Sequence, residues 1–295
     1  SLFLLCSVYP EDYDIPIDQL TMIGLGLGLV GEIPSYWVGT QVINKAIKKL
    51  VGSCLLLKYE DGNHVKMHDL VRDVALWIAQ KEKKLIMGQL KEDTIMKALE
   101  IRYLWLEEVD KCPNKLNCSE LEFLHISIYS EPYVTIPNDF FNGMEKLRVL
   151  FLENPTDQED LVLQWPISFN LLSNLCCLML YCWVLGDISF IGSLERLESL
   201  AIERCSFDEL PTCIIQQKKL RLLGLFNCKI QRNPFEVMGR CSQLEVLYFL
   251  NNSGEDWEDQ NNNSAKFFDK ISTTTLAMES YCIQFGNIGG NYVLD

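Results

Sequence analysis

The amino-acid sequence predicts an α+β module over residues 1–82 followed by an α/β solenoid of parallel strands over residues 101–295. Two observations carry that prediction. The motif L-x-x-L-x-L recurs at Ile101-Leu104-Leu106, Leu121-Leu124-Ile126, Leu147-Leu150-Leu152, Leu175-Leu178-Leu180, Leu197-Leu200-Ile202, Leu220-Leu223-Leu225 and Leu244-Leu247-Phe249. Successive starts lie 20, 26, 28, 22, 23 and 24 residues apart, a period in the range of leucine-rich repeats. No such period exists upstream of residue 101, where helical stripes and one hairpin pattern replace it.

Each repeat makes one short strand with its apolar residues turned inward, then returns along the convex side. A single unit cannot bury its own core, so neighbours must stack. Cys205, Cys228 and Asn252 lie eight residues after Leu197, Leu220 and Leu244, where a polar group can bond the backbone of the turn. Val109, Tyr129, Pro155 and Trp183 stand there in earlier units, so the first half of the array is irregular. Return segments "TIPNDFFNGMEKL" and "ELPTCIIQQKKL" carry a proline that fixes the turn out of the strand. After Asn252 the repeat gives way to an acidic, Asn-rich loop over 253–264, and "ESYCIQF" can resume a strand.

In the first region "LFLLCSVY" reads as a short buried helix ended before Pro10, and "PIDQLTMIGLGLGL" as a helix breaking up at its glycines. Val42, Ile43, Ala46, Ile47 and Leu50 share one helical face; so do Leu70, Val71, Val74, Ala75 and Ile78. Between these helices "CLLLKYE" and "HVKM" form a hairpin through Asp61-Gly62. Helices with a two-stranded ribbon in so short a segment suggest a winged-helix module. Residues 83–100 read as a charged linker and array cap.

Net charge is −14, with −2 from residues 1–100 (11 Lys+Arg, 13 Asp+Glu) and −12 from the remainder (15 and 27). Such a surface repels phosphate backbones and acidic membranes, so no nucleic-acid partner is expected. The twelve cysteines contain no C-x-x-C pair, which disfavours a structural zinc site, and no metal is expected. Several fall inside apolar strands as small buried hydrophobes, which suits a reducing intracellular compartment. The longest apolar run, Leu20 to Val30, is too short to span a bilayer, so no transmembrane segment is expected. The chain starts at Ser1 inside an apolar stretch and reads as an internal fragment.

Gly26, Gly28 and Gly31 make a formal G-x-G-x-x-G, but a dinucleotide site needs a strand before it and a helix after it. Here a helix precedes and Pro34 follows, so a helix end is the better reading. No phosphate loop G-x-x-x-x-G-K-[ST] occurs. His68 and Asp69 stand where the strand pattern gives way to a helix. With no partner nucleophile in a recognisable motif, no catalytic residue is assigned. Asp69 can cap the helix, and His68 at a helix N-terminus can be a surface residue or a phosphate contact. Local chemistry leaves both open.

"LFLLCSVYPEDYDIPIDQL" and "VKMHDLVRDVALWIA" resemble two motifs of plant nucleotide-binding leucine-rich-repeat disease-resistance proteins of the coiled-coil type. The second includes that family's Met-His-Asp motif, here Met67-His68-Asp69. The resemblance implies an ADP-bound off state that exchanges to ATP. It implies His68 as the sensor of an ADP phosphate, supported by Met67 and Asp69. It further implies an upstream nucleotide-binding domain, with no nucleotide held by this chain alone and no enzymatic activity in it. Expected partners are a pathogen effector or a guarded host protein and the protein's own nucleotide-binding domain, in the cytoplasm, with oligomerisation on activation possible for the full-length protein. An adaptor of ubiquitin ligation would share the array but needs an F-box-like segment, which residues 1–80 lack.

Strand positions between the inward leucines should face the concave side. They include Tyr103, Trp105, Phe123, His125, Phe151, Tyr181, Phe226 and Tyr248. Aromatic residues of this kind anchor interfaces, so they form the candidate interaction surface, facing either a partner or another domain of the same protein.

Overall fold

The computed structural model describes residues 1–59, 62–81, 85–88, 101–129, 133–156, 161–254, 280–285 and 291–293. The first region holds four helices, α1 Leu2–Cys6, α2 Ile17–Gly26, α3 Tyr36–Gly52 and α4 Asp69–Lys81. Among them lies an antiparallel sheet of β1 Ile15–Pro16, β2 Leu57–Lys58 and β3 His64–Lys66, in the order β1-β3-β2. The hairpin of β2 and β3 follows the sequence pattern, with Gly62 at φ +75° in its turn; Asp61 lies outside the described residues. The third strand was not legible, because β1 is two residues long and ends in a proline. Pro16 sits at the sheet edge and its extended backbone leads straight into α2.

Local chemistry sets the helix ends. Ser35 caps α3, its hydroxyl accepting the Val38 N–H at 3.3 Å. Gly28, at φ +69°, takes the left-handed conformation that ends the run after α2. Two expected stripes need correction. Ile43 and Ile47 are buried, but Val42 is exposed, and on α4 Leu70 and Val74 face outward with Trp77 while Ala75 and Ala79 face in. The small alanines let α4 lie close against its neighbours; Ala75 belongs to the expected stripe, and Ala79 extends it.

The repeats form one sheet of ten strands in the order β17-β16-β15-β13-β11-β10-β8-β6-β5-β4. In chain order these are β4 Leu85–Gly88, β5 Tyr103–Val109, β6 Phe123–Ile128, β8 Val149–Glu153, β10 Cys177–Tyr181, β11 Ser199–Glu203, β13 Leu222–Phe226, β15 Val246–Asn252, β16 Ser280–Phe285 and β17 Asn291–Val293. All neighbours pair in parallel except β16 with β17. The register aligns the motif itself: Leu104, Leu124, Leu150, Leu178, Leu200, Leu223 and Leu247 stand side by side, each fully buried. The sheet begins at Leu85, inside the stretch read as a linker, and continues into "ESYCIQF" as β16. The Asn-rich loop is described only as far as Gly254.

A second parallel row runs through short strands β7 Tyr133–Thr135, β9 Val162–Gln164, β12 Ser206–Phe207 and β14 Lys229–Ile230. Short 3₁₀ turns at Ile167–Leu171 and Thr212–Gln216 follow Pro166 and Pro211, whose fixed φ of −73° and −70° starts them.

Between these rows a donor ladder closes the turns. Trp183 Nε1 donates to the Leu152 carbonyl at 3.1 Å, Cys228 Sγ to Ile202 at 3.2 Å, and Asn252 Nδ2 to Leu225 at 2.8 Å. Each acceptor is the last apolar residue of the motif one repeat earlier. Trp183 therefore does the work of the polar residue, although its identity marked that repeat as irregular. The residue just before each ladder position, Cys182, Arg204, Asn227 and Asn251, has φ between 52° and 62°. Only the two asparagines are types that favour this left-handed region, so the corner is imposed by the ladder.

Candidate functional site: the Met-His-Asp turn and the covered concave face

Met67 is buried in the first module and anchors the turn between β3 and α4. His68 next to it is exposed. Its Nδ1 accepts the Leu70 N–H at 3.3 Å, and its carbonyl accepts from Val71 and Arg72, each at 2.9 Å. His68, and not Asp69, is the cap of α4; the helix starts at Asp69, whose charge meets the positive end of the dipole. With Nδ1 occupied as an acceptor, the neutral ring carries its proton on Nε2 and presents an N–H donor to solvent. Arg72, one turn on, ties α4 to the end of α1 by donating from Nε to the Tyr9 carbonyl at 2.8 Å.

The eight concave positions all belong to the sheet face that the sequence assigned to them, and the first module covers that face. Tyr103, Trp105, Phe123 and Phe151 join α1, α2 and α3 in one hydrophobic cluster, with Tyr181 and Tyr248 packed at its margin. Phe226 is half-buried and lies 5.7 Å from Tyr248. Tyr9 meets Trp105 at 5.1 Å, Trp105 stacks on His125 at 3.7 Å, and His125 meets the edge of Phe151 at 4.7 Å. His125 is buried, its Nε2 paired with Glu153 at 2.8 Å and its Nδ1 without a partner among the described residues. Burial holds its pKa below the ordinary value, although the Glu153 bond opposes that shift. Glu203, at the rim of the same face, is pushed up by burial.

Size decides where the module fits. Across the sheet one concave row reads Tyr103, Phe123, Val149, Cys177, Ser199, Leu222, and the next Trp105, His125, Phe151, Met179, Ala201, Gly224. Both rows shrink away from the aromatic first repeats, and the end of α2 enters at Val149 and Cys177. A Cβ added to Gly26 would stand 2.8 Å from Cys177 Cβ and 2.8 Å from Val149 Cγ2, so only glycine fits. The Tyr36 hydroxyl reaches Ser199 at 3.5 Å, and the Tyr36 N–H is bonded to Glu245.

Polar contacts reinforce the fit. The second residue of each motif reads Arg102, Glu122, Arg148, Cys176, Glu198, Arg221, Glu245, an alternation of charge broken at Cys176. Arg102 pairs with Glu122 at 2.6 Å and Arg221 with Glu245 at 3.2 Å. Arg148 is left between a Glu122 already engaged by Arg102 and a neutral cysteine. It donates from Nε to the Gly26 carbonyl at 2.8 Å, capping the negative end of α2 from another part of the chain. The sequence reading missed Arg148 and saw Gly26 only as part of a discarded motif. The break in the charge alternation was the one available signal.

These features define a leucine-rich-repeat protein with a helical module seated on its concave face. No family model matches the chain. Disease resistance protein RPS5 of Arabidopsis thaliana is 31% identical over 262 residues, covering 85% of this chain and 28% of that protein. Disease resistance protein UNI of the same plant is 27% identical over 241 residues, 76% of this chain and 23% of its own length. A probable disease resistance protein, also from Arabidopsis thaliana, is 28% identical over 213 residues, 68% of this chain and 22% of its own. Among solved structures, internalin C2 from Listeria monocytogenes aligns over 86% of this chain and 96% of its own at 15% identity, with a TM-score of 0.44. The chain is homologous to plant disease-resistance proteins and spans about a quarter of their length. Among the described residues no helix is long and apolar enough to cross a membrane.

Proposed function

We propose that this chain is the switch-and-repeat segment of an intracellular plant immune receptor. In this reading residues 1–82 are a winged-helix module that senses the nucleotide held by an upstream domain, and the repeats hold it in the off state. The observation that carries the reading is the coverage of the concave face by the first module, sealed at Gly26 and Arg148. The concave aromatic residues serve the off state as an intramolecular contact. They become available to a pathogen effector or a guarded host protein once the module leaves.

His68 supplies the sensing step. Its ring already caps α4 through Nδ1, so a nucleotide phosphate arriving at that helix end meets both the Nε2–H donor and the positive end of the dipole. A phosphate held there by ADP links the state of the upstream domain to the turn that leads from β3 into α4. The chain itself carries out no reaction in this scheme; any nucleotide hydrolysis belongs to the upstream domain.

The test uses the full-length protein. His68→Ala is expected to lower ADP retention, and Gly26→Val to leave ADP contacts in place while separating module from array. Both should produce signalling without a pathogen. Normal ADP retention and a silent receptor in the His68→Ala protein would contradict the sensing role. A silent Gly26→Val receptor would contradict the holding role of the repeats.

A further inference from the structure

We propose that the cleft beside the Gly26–Arg148 contact binds a small phosphate, as inorganic phosphate or a phosphate monoester. The cleft is a cavity of about 590 Å³ between the loop after α2 and the entry edge of the repeat sheet. Its cationic side chains are Arg148, Lys218, Lys219 and Arg221, and its carboxylates are Glu32 and Glu198. Arg221 is paired with Glu245, so Arg148, Lys218 and Lys219 face two carboxylates and leave an excess of +1, in a chain whose formal net charge is −14. A local excess of that sign runs against the field of the rest of the molecule, which repels anions.

The disposition of the groups fits an oxyanion. Lys218 and Lys219 are exposed and have no carboxylate partner among the described residues. Arg148 uses Nε for the Gly26 carbonyl, and its Nη2 stands 3.1 Å from where a Gly28 Cβ would be. Its terminal N–H groups therefore border the cleft beside a residue with no side chain. The opposite wall is backbone at Gly28 and Gly31, both at positive φ, with open space beside Gly31. Guanidinium and ammonium groups lining one cavity are the donor set that phosphate takes. Glu32 and Glu198 in the wall disfavour longer, more highly charged polyphosphates.

A phosphate seated there touches both halves of the molecule, so its binding adds to the docking of module on array. The site uses only side chains of this chain and stands apart from the sensing role assigned to His68.

Titration of the full-length protein with inorganic phosphate and with phenyl phosphate, at constant ionic strength, tests the site by calorimetry. Saturable binding is expected, weakened about tenfold or more by the double substitution K218E/K219E, since two of the three cations not paired with a carboxylate are reversed. The control K48E/K49E, on the exposed side of α3 and outside the cleft, should leave the affinity unchanged. Absence of saturable binding overturns the proposal. So does binding that survives K218E/K219E, or that falls equally in both variants. Binding to phosphatidic acid vesicles without binding to either soluble phosphate also overturns it.

Discussion

The molecule has two hydrophobic cores built on opposite faces of one sheet, and they obey different rules. Inside the array every motif leucine meets its equivalents in the neighbouring repeats, and a donor ladder satisfies the turns. That core is a stack of like units, so one periodic signal specifies it. On the concave side the partners come from the first module, and the residue contributed changes from most repeats to the next. That core is specified by graded size, from Trp105 and Phe123 down to Cys177, Ala201 and Gly224, and by one unbalanced arginine. Repetition builds a scaffold; departure from repetition marks where something docks.

Breaking one core at a time tests whether they are separate. The largest loss is expected from Leu178→Ala, which empties the middle of the array. Chemical denaturation should show about 2–5 kcal/mol less stability. Arg148→Met should cost docking rather than folding. It leaves the Gly26 carbonyl and the end of α2 without a charged donor, a loss of about 1.5–3 kcal/mol, read as faster exposure of concave residues at unchanged denaturation midpoint. Trp183→Phe should remove the indole N–H together with part of the ring volume and leave the Leu152 carbonyl unpaired, lowering array stability by about 1–3 kcal/mol in the same denaturation assay.

The smallest effect is a pH dependence. His125 is buried beneath the module with its pKa lowered from 6.5, while Glu153 faces its Nε2 and Glu107 lies near. The open or unfolded state then binds the proton more readily than the docked one. The contribution of His125 is complete above its ordinary pKa and declines as pH falls through that value toward the lower docked one. Docking should weaken on acidification below about 6.5, and His125→Gln should flatten that part of the profile. Concave-side exposure measured across pH checks both.

The seven repeats were legible because burial on the inner face demands a leucine at fixed spacing, and a sequence displays spacing directly. The concave face was legible by position only. That Cys177, Ser199 and Gly224 are small has no meaning until α2 is placed against them. The same holds for α4, where Leu70 and Val74 satisfied a helical stripe yet face out, while Ala75 and Ala79 pack. The Met67-His68-Asp69 turn was visible as a strand-to-helix junction. Which of the two polar residues caps α4 was not, because the answer depends on where the helix starts by a single residue. Trp183 hid its ladder role because its indole N–H is a donor on a residue read as a hydrophobe.

The module sits on the concave face through Gly26, and Cys177 reports on that contact directly. That thiol is fully buried under the end of α2, and burial pushes its pKa up, whereas Cys205 and Cys228 are buried inside the array and Cys54 is exposed. Site-resolved thiol alkylation of the full-length protein, followed by mass spectrometry, compares these cysteines in the native and Gly26→Val forms. Rapid labelling of Cys54 is expected in both, protection of Cys205 and Cys228 in both, and labelling of Cys177 only in Gly26→Val. Labelling of Cys177 in the native protein as fast as Cys54, or equal protection of Cys177 in the two forms, would contradict it.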